Sequence, residues 1–150
     1  MEVKEALQLV DRLSNIAEIH SRRYSFITAF VYEYFSEIFK IEKLESEMIL
    51  NNRNLEKEQQ EDSFKYLPAK REIHNKYWSN SSLFYVPCSA GSEPEHDWSK
   101  VSDIEIMETG DDDCPQFIFM CKYQDCSAVR KALLIKIEGG RLGIEHEFYG

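Results

Sequence analysis

The first 67 residues contain neither glycine nor proline. These are the two strongest helix breakers, so their absence argues for helix throughout that stretch. All six glycines and all four prolines lie from Pro68 onward, which assigns strands and loops to the second part. No apolar run approaches the roughly 20 residues a membrane span requires. The opening Met1-Glu2-Val3-Lys4-Glu5 is charged on both signs and lacks the apolar stretch of a signal peptide. These two absences give the expectation of a cytoplasmic protein. The four cysteines, Cys88, Cys114, Cys121 and Cys126, form no CxxC, so no zinc site is expected, and in a reducing compartment no disulfide either. Basic residues are scarce, 18 against 27 acidic ones, for a net charge of −9. Such a chain repels phosphate backbones, which argues against a nucleic-acid partner. There is no nucleophile motif, no glycine-rich phosphate loop and no pair of histidines one helical turn apart. No cofactor is therefore expected.

What is present suffices for one core. The 150 residues, 43% apolar and 13% aromatic, fit a single domain spanning 1–150. Val3, Ala6, Leu7, Val10, Leu13, Ile16 and Ala17 recur at helical spacing and form one apolar stripe. A second stripe, Phe26, Ala29, Phe30, Phe35, Ile38, Phe39 and Ile41, is apolar nearly all round and predicts the most deeply packed helix. A break near Ser21-Arg22-Arg23 separates the two. Residues 42–65 are mostly polar, a solvated helix or a helix ending in a loop at Asn51-Asn52. Residues 67–78 form a further short helix, with Pro68 in its first turn. The chain is thus mainly helical over 1–78.

Period-two patterning follows over 82–148. Ser82 to Val86 predicts a short strand. In Val101 to Glu108, Ile104 and Ile106 share one face, with Val101 and Met107 on the other. Phe117, Phe119 and Cys121 alternate with Ile118, Met120 and Lys122. Ala132, Leu134 and Lys136 alternate with Leu133, Ile135 and Ile137. In the last run Leu142, Ile144, His146 and Phe148 share a face, opposite Arg141, Gly143, Glu145 and Glu147. Gly139-Gly140 is a two-residue hairpin signal, and Thr109-Gly110-Asp111-Asp112 marks another turn. The fold class is α+β, N-terminal helices packed on a curved, mainly antiparallel sheet. Phe30, Phe35, Ile106, Phe119, Leu134 and Ile144 are expected to be buried together.

Charge is the most uneven feature. Residues 93–113 hold nine carboxylates against Lys100 alone, whereas residues 1–75 carry 14 acids against 11 bases. Glu93, Glu95, Asp97, Asp103, Glu105, Asp111, Asp112 and Asp113 are the candidate partner-binding residues, with Trp98 as an aromatic anchor. The alternative is a solvated loop and the wet face of an edge strand. Asp111-Asp112-Asp113 lacks the remaining ligands of a calcium loop, so no metal is expected. His146, if it faces a sheet cavity, is the candidate acid or base.

Two stretches carry a resemblance. One is Arg71-Glu72-Ile73-His74-Asn75-Lys76-Tyr77-Trp78. The other runs Ala132-Leu133-Leu134-Ile135-Lys136-Ile137-Glu138-Gly139-Gly140-Arg141-Leu142-Gly143-Ile144-Glu145. Together they resemble the bacterial immunity proteins of the nuclear transport factor 2-like superfamily, which neutralise polymorphic toxins. The resemblance spans residues 70–148. It departs at Leu142, where that family commonly has tryptophan, and at the acid-rich loop Cys88 to Lys100. It implies a cone-shaped fold and a non-enzymatic inhibitor of one cognate toxin domain. An acidic inhibitor suits a basic, nuclease-like toxin. Two other readings stand beside it. One is a small-molecule isomerase or dehydratase of the same fold. The other is a ligand-binding accessory module that forms a homodimer through its open sheet face.

Overall fold

A computed structural model describes residues 1–13, 24–79, 90–91, 93–124 and 129–148, with the backbone alone at 129 and 130. Three helices lie on one face of a four-stranded antiparallel sheet, so the α+β class holds. The helices are α1 (Val3–Arg12), α2 (Ser25–Asn52) and α3 (Leu67–Tyr77). The strands are β1 (Val101–Gly110), β2 (Pro115–Tyr123), β3 (Val129–Glu138) and β4 (Arg141–Phe148), paired in that order. The strand expected over Ser82 to Val86 and the break near Ser21-Arg22-Arg23 lie outside the described residues, as do Cys88 and Cys126.

The sheet hangs together through local turn chemistry. Gly139 and Gly140 take φ of 58° and 75° between Glu138 and Arg141, the two positive values that a tight hairpin needs. The outer edge of β4 is covered over its first half, up to Ile144. Met1–Val3 runs beside Arg141, with Val3 N–H donating to Gly140 at 2.8 Å. Trp78 bridges Ile144 in parallel, and Ser79 N–H donates to Ile144 at 2.9 Å. Gly143 permits this approach, because a Cβ there would stand 3.1 Å from Ser79 Cβ and 3.2 Å from its backbone.

α2 is one helix of 28 residues, about 42 Å long at the usual rise. Its first half buries Ile27, Phe30, Val31, Tyr34, Phe35 and Ile38 against Phe117, Phe119, Leu133, Ile135 and Ile144. Its C-terminus ends at Asn52, as the polar reading of residues 42–65 allows. There the Gln60 amide donates to the Asn52 carbonyl at 3.0 Å, satisfying one orphan acceptor of the last turn.

Three of the expected strand faces need correction. Register shifts occur in every strand pair, between Val101 and Asp103, between Cys121 and Lys122, and between Leu134 and Ile135. Each inserts an extra residue, which bends the strand and reverses the side to which later residues point. In β4 the inserted residue is Glu145, since Ile135 pairs with Ile144 and Leu134 with His146. Beyond it the alternation inverts. Glu147 points inward, while His146 and Phe148 point out, Phe148 at 46% exposure. The shift in β1 likewise brings Val101 against the core. Leu134 lies on the outer face, and the inward residues of β3 are Leu133 and Ile135. Of the six expected core residues, Phe30, Phe35, Phe119 and Ile144 are fully buried, and Ile106 is partly so.

Candidate functional site

The α2 core stripe, extended by three and four residues beyond Ile38, lands on Glu42, Glu45 and Ser46, and all three are buried. They are polar because they face a loop, not the sheet. Glu42 receives two backbone amides, from Glu95 at 3.2 Å and His96 at 3.1 Å. Glu45 receives the Gly91 amide at 2.9 Å and the Lys70 ammonium at 2.6 Å. Two carboxylates thus fasten the 91–96 segment onto α2 by charge-assisted hydrogen bonds.

His96, 4% exposed, sits at the centre of a buried charge network. Its Nδ1 lies 3.1 Å from both Glu42 carboxylate oxygens, and its Nε2 lies 2.9 Å from Glu147 Oε1. Lys131 donates to the same Glu147 oxygen and stands 3.7 Å from Glu95. The side chains of Lys131 and Glu147 are each 1% exposed. Tyr34 and Phe35 meet the imidazole edge-on at 5.4 Å and 5.1 Å. Tyr123 closes the rim, its hydroxyl donating to the Glu95 carbonyl.

The electrostatics follow from these contacts. Burial alone would lower the His96 pKa, but the hydrogen bonds to Glu147 and Glu42 outweigh it and raise it. Burial would likewise raise Glu147, yet the hydrogen bond and charge of His96, with Lys131 beside them, hold its carboxyl down at about 2. The pattern is an imidazolium and an ammonium set among carboxylates. Both ring nitrogens of His96 are engaged, so a proton leaves only by breaking an ion pair. Glu42, Glu95 and His96 each place one donor atom within 4.8 Å of the others, as a metal site would. Those atoms are already committed to amides and ion pairs, and Lys131 supplies the positive charge beside them. Cys121, on the same inner face, is pushed up to about 12 mainly by burial, which makes it an inert thiol.

The sequence-assigned surface residues are placed differently. Glu93, Glu95, Asp103, Glu105, Asp111, Asp112 and Asp113 are exposed, and Asp97 is half-buried. Asp103 and Glu105 lie on β1, which has no neighbour on its outer side among the described residues; Glu93, Glu95 and Asp97 precede it, and Asp111–Asp113 follow it in the turn to β2. They do not form one cluster. The length of β1 separates Asp103 from the turn at Asp111–Asp113 by about 20–25 Å. Several also have structural duties. Asp97 accepts the Ser99 amide and hydroxyl at 3.1 Å and 2.6 Å, and Asp111 accepts the Cys114 amide at 2.9 Å. Trp98 is half-buried, edge-on to Tyr32 and Phe35 and stacked over Phe119. His146 is exposed on the outer face and lines no inner cavity. Sequence reasoning missed Glu42, His96, Lys131 and Glu147. The legible signal was two glutamates on the apolar stripe of α2.

No family model, curated protein or solved structure matches this chain. Among the described residues no helix is long and apolar enough to cross a membrane.

Proposed function

We propose that this chain is a non-catalytic binding protein of the cytoplasm that docks a basic protein domain on the acidic edge of its sheet. The resemblance to immunity proteins makes that domain a toxin. One observation carries the reading: eight of the nine carboxylates of residues 93–113 are exposed along β1, which has no outer neighbour among the described residues, and its flanking segments. Such a surface attracts a basic partner over a distance and speeds docking. The network inside supports it from below. The loop that carries Glu93, Glu95 and Asp97 is held rigid by Glu42 and Glu45, so the surface is already formed before the partner arrives. The engagement of both His96 nitrogens favours a structural role for this histidine over acid–base catalysis.

The test is association with the product of the neighbouring upstream gene, which on this reading carries a toxin domain. A tight complex that abolishes toxin activity is expected. The charge-reversed variant Glu93→Lys/Asp103→Lys/Glu105→Lys should associate about tenfold more slowly at low salt, with the difference fading at high salt. Glu95 and Asp97 are left intact because they hold Lys131 and the Ser99 turn. Equal association rates for both proteins at low salt would remove the acidic edge as the docking surface.

A further inference from the structure

A cleft of about 360 Å³ opens between one side of α2 and the Trp98–Lys100 turn. Half-buried Tyr32 and Phe39 and half-buried Trp98, which meets Tyr32 edge-on at 5.3 Å, form its rim, with fully buried Phe35 beneath them. Among the described residues no lysine or arginine lines it. His96 borders it, its ring set between Glu42 and Glu147. Asp97 stands at the mouth, with one carboxylate oxygen already holding Ser99 and the other without a partner among the described residues. Exposed Glu93 and Glu95 precede it in the chain.

Half-buried aromatic rings beside a carboxylate are the setting in which a guanidinium binds. It stacks on ring faces, forks onto the carboxylate and sheds its hydration more readily than an ammonium. We propose that this cleft receives an arginine side chain of the basic partner, with the aromatic rings as its walls and Asp97 as its counter-ion. The proposal rests on the docking reading above and names the anchor that the reading lacks. Binding hot spots are enriched in Trp, Tyr and Arg seated in well-packed pockets.

The experiment needs no partner, so its failure is separate from failure of the docking surface, which shows in association kinetics. N-acetyl-arginine amide is titrated into the intact chain, with N-acetyl-citrulline amide as its neutral isostere. The Trp98 indole and Ser99 amide signals are followed by NMR, and buried Trp78 serves as the internal control. A saturable shift at Trp98 and Ser99 is expected with the arginine probe, at least about tenfold weaker with citrulline. Trp98→Leu should abolish the Ser99 shift. Asp97→Asn should weaken binding at least threefold while keeping the turn, since the asparagine oxygen still accepts the Ser99 amide. Equal response to citrulline, a Ser99 shift that survives Trp98→Leu, or no shift at either position would each overturn the proposal.

Discussion

Glu147 and Lys131 show how a single inserted residue recasts a site. Without the extra residue Glu145, Glu147 would point to water, as plain alternation along β4 predicts; with it, Glu147 meets His96 and Lys131 in the interior. Removing one partner leaves an uncompensated buried charge. Lys131→Met is therefore expected to destabilise by about 3–5 kcal/mol, measured by urea denaturation. Lys131→Met combined with Glu147→Leu removes that charge imbalance and should recover most of the loss; a double variant as unstable as the single one would refute the ion-pair account. The network also sets a pH window. A carboxyl lowered from 4.5 to about 2 contributes stability above pH 4.5, lost as pH falls toward 2. An imidazole raised from 6.5 contributes stability below pH 6.5, lost as pH rises through its raised value. From these two groups the denaturation midpoint should peak between about pH 4.5 and 6.5, with the alkaline decline reduced in His96→Gln. At this scale the sequence was only partly legible. Glu42 and Glu45 could be read from the apolar stripe they interrupt. Glu147 could not, because a bulge is set by the pairing of two strands, and nothing in the alternation of one strand announces it.

The elements were more legible because their signals are local. The glycine- and proline-free stretch is helix over Val3–Arg12 and Ser25–Asn52 but not over 53–66, which holds turns and one short 3-10 helix, and Pro68 opens α3 as its fixed φ favours. Gly139-Gly140 turns the last hairpin as its positive φ values require. The alternating runs within 101–148 became strands; bulges reversed the faces in β1 and β4, whereas in β3 the alternation held and the inward side is that of Leu133 and Ile135, not Leu134. What no local pattern conveyed is the way α3 hands the chain to β4. Trp78 leaves the helix extended, stacks on His74 at 4.7 Å, donates to the Tyr34 hydroxyl at 3.4 Å and pairs along Ile144. Gly143 makes room for Ser79, the next residue. Gly143→Ala should push the Ser79 backbone away from its bond to Ile144 and destabilise by about 1–3 kcal/mol, the usual cost of overpacking. Faster amide exchange at Ser79 would locate the damage, and an unchanged melting temperature would show that the neighbouring backbone yields freely. Ile144→Asp, at the same junction but fully buried, should be severe, because an unpaired carboxylate in an apolar site costs several kcal/mol.

At the scale of the whole molecule, the two edges of the sheet are treated differently. The β4 edge is covered up to Ile144 by Met1–Val3 and by Trp78–Ser79. The β1 edge carries Asp103, Glu105 and Glu108, with the aromatic cleft and Glu93 at one end and Asp111–Asp113 at the other. Charge on a free edge also guards against strand-to-strand aggregation, so its presence alone does not define a docking site. The two ends can be told apart by experiment. They lie about 20–25 Å apart, more than twice the Debye length of about 8 Å at physiological salt, so they act as separate fields there. A partner anchored in the cleft feels the near end at contact and the far end mainly through long-range attraction. Glu93→Lys/Asp103→Lys/Glu105→Lys is therefore expected to slow association with the basic domain and also to speed its dissociation. Asp112→Lys/Asp113→Lys, which leaves Asp111 to hold its turn, should slow association only, and only at low salt. Surface plasmon resonance at two ionic strengths measures all four rates. A faster dissociation confined to the Asp112/Asp113 variant would move the contact to the far turn and away from the cleft.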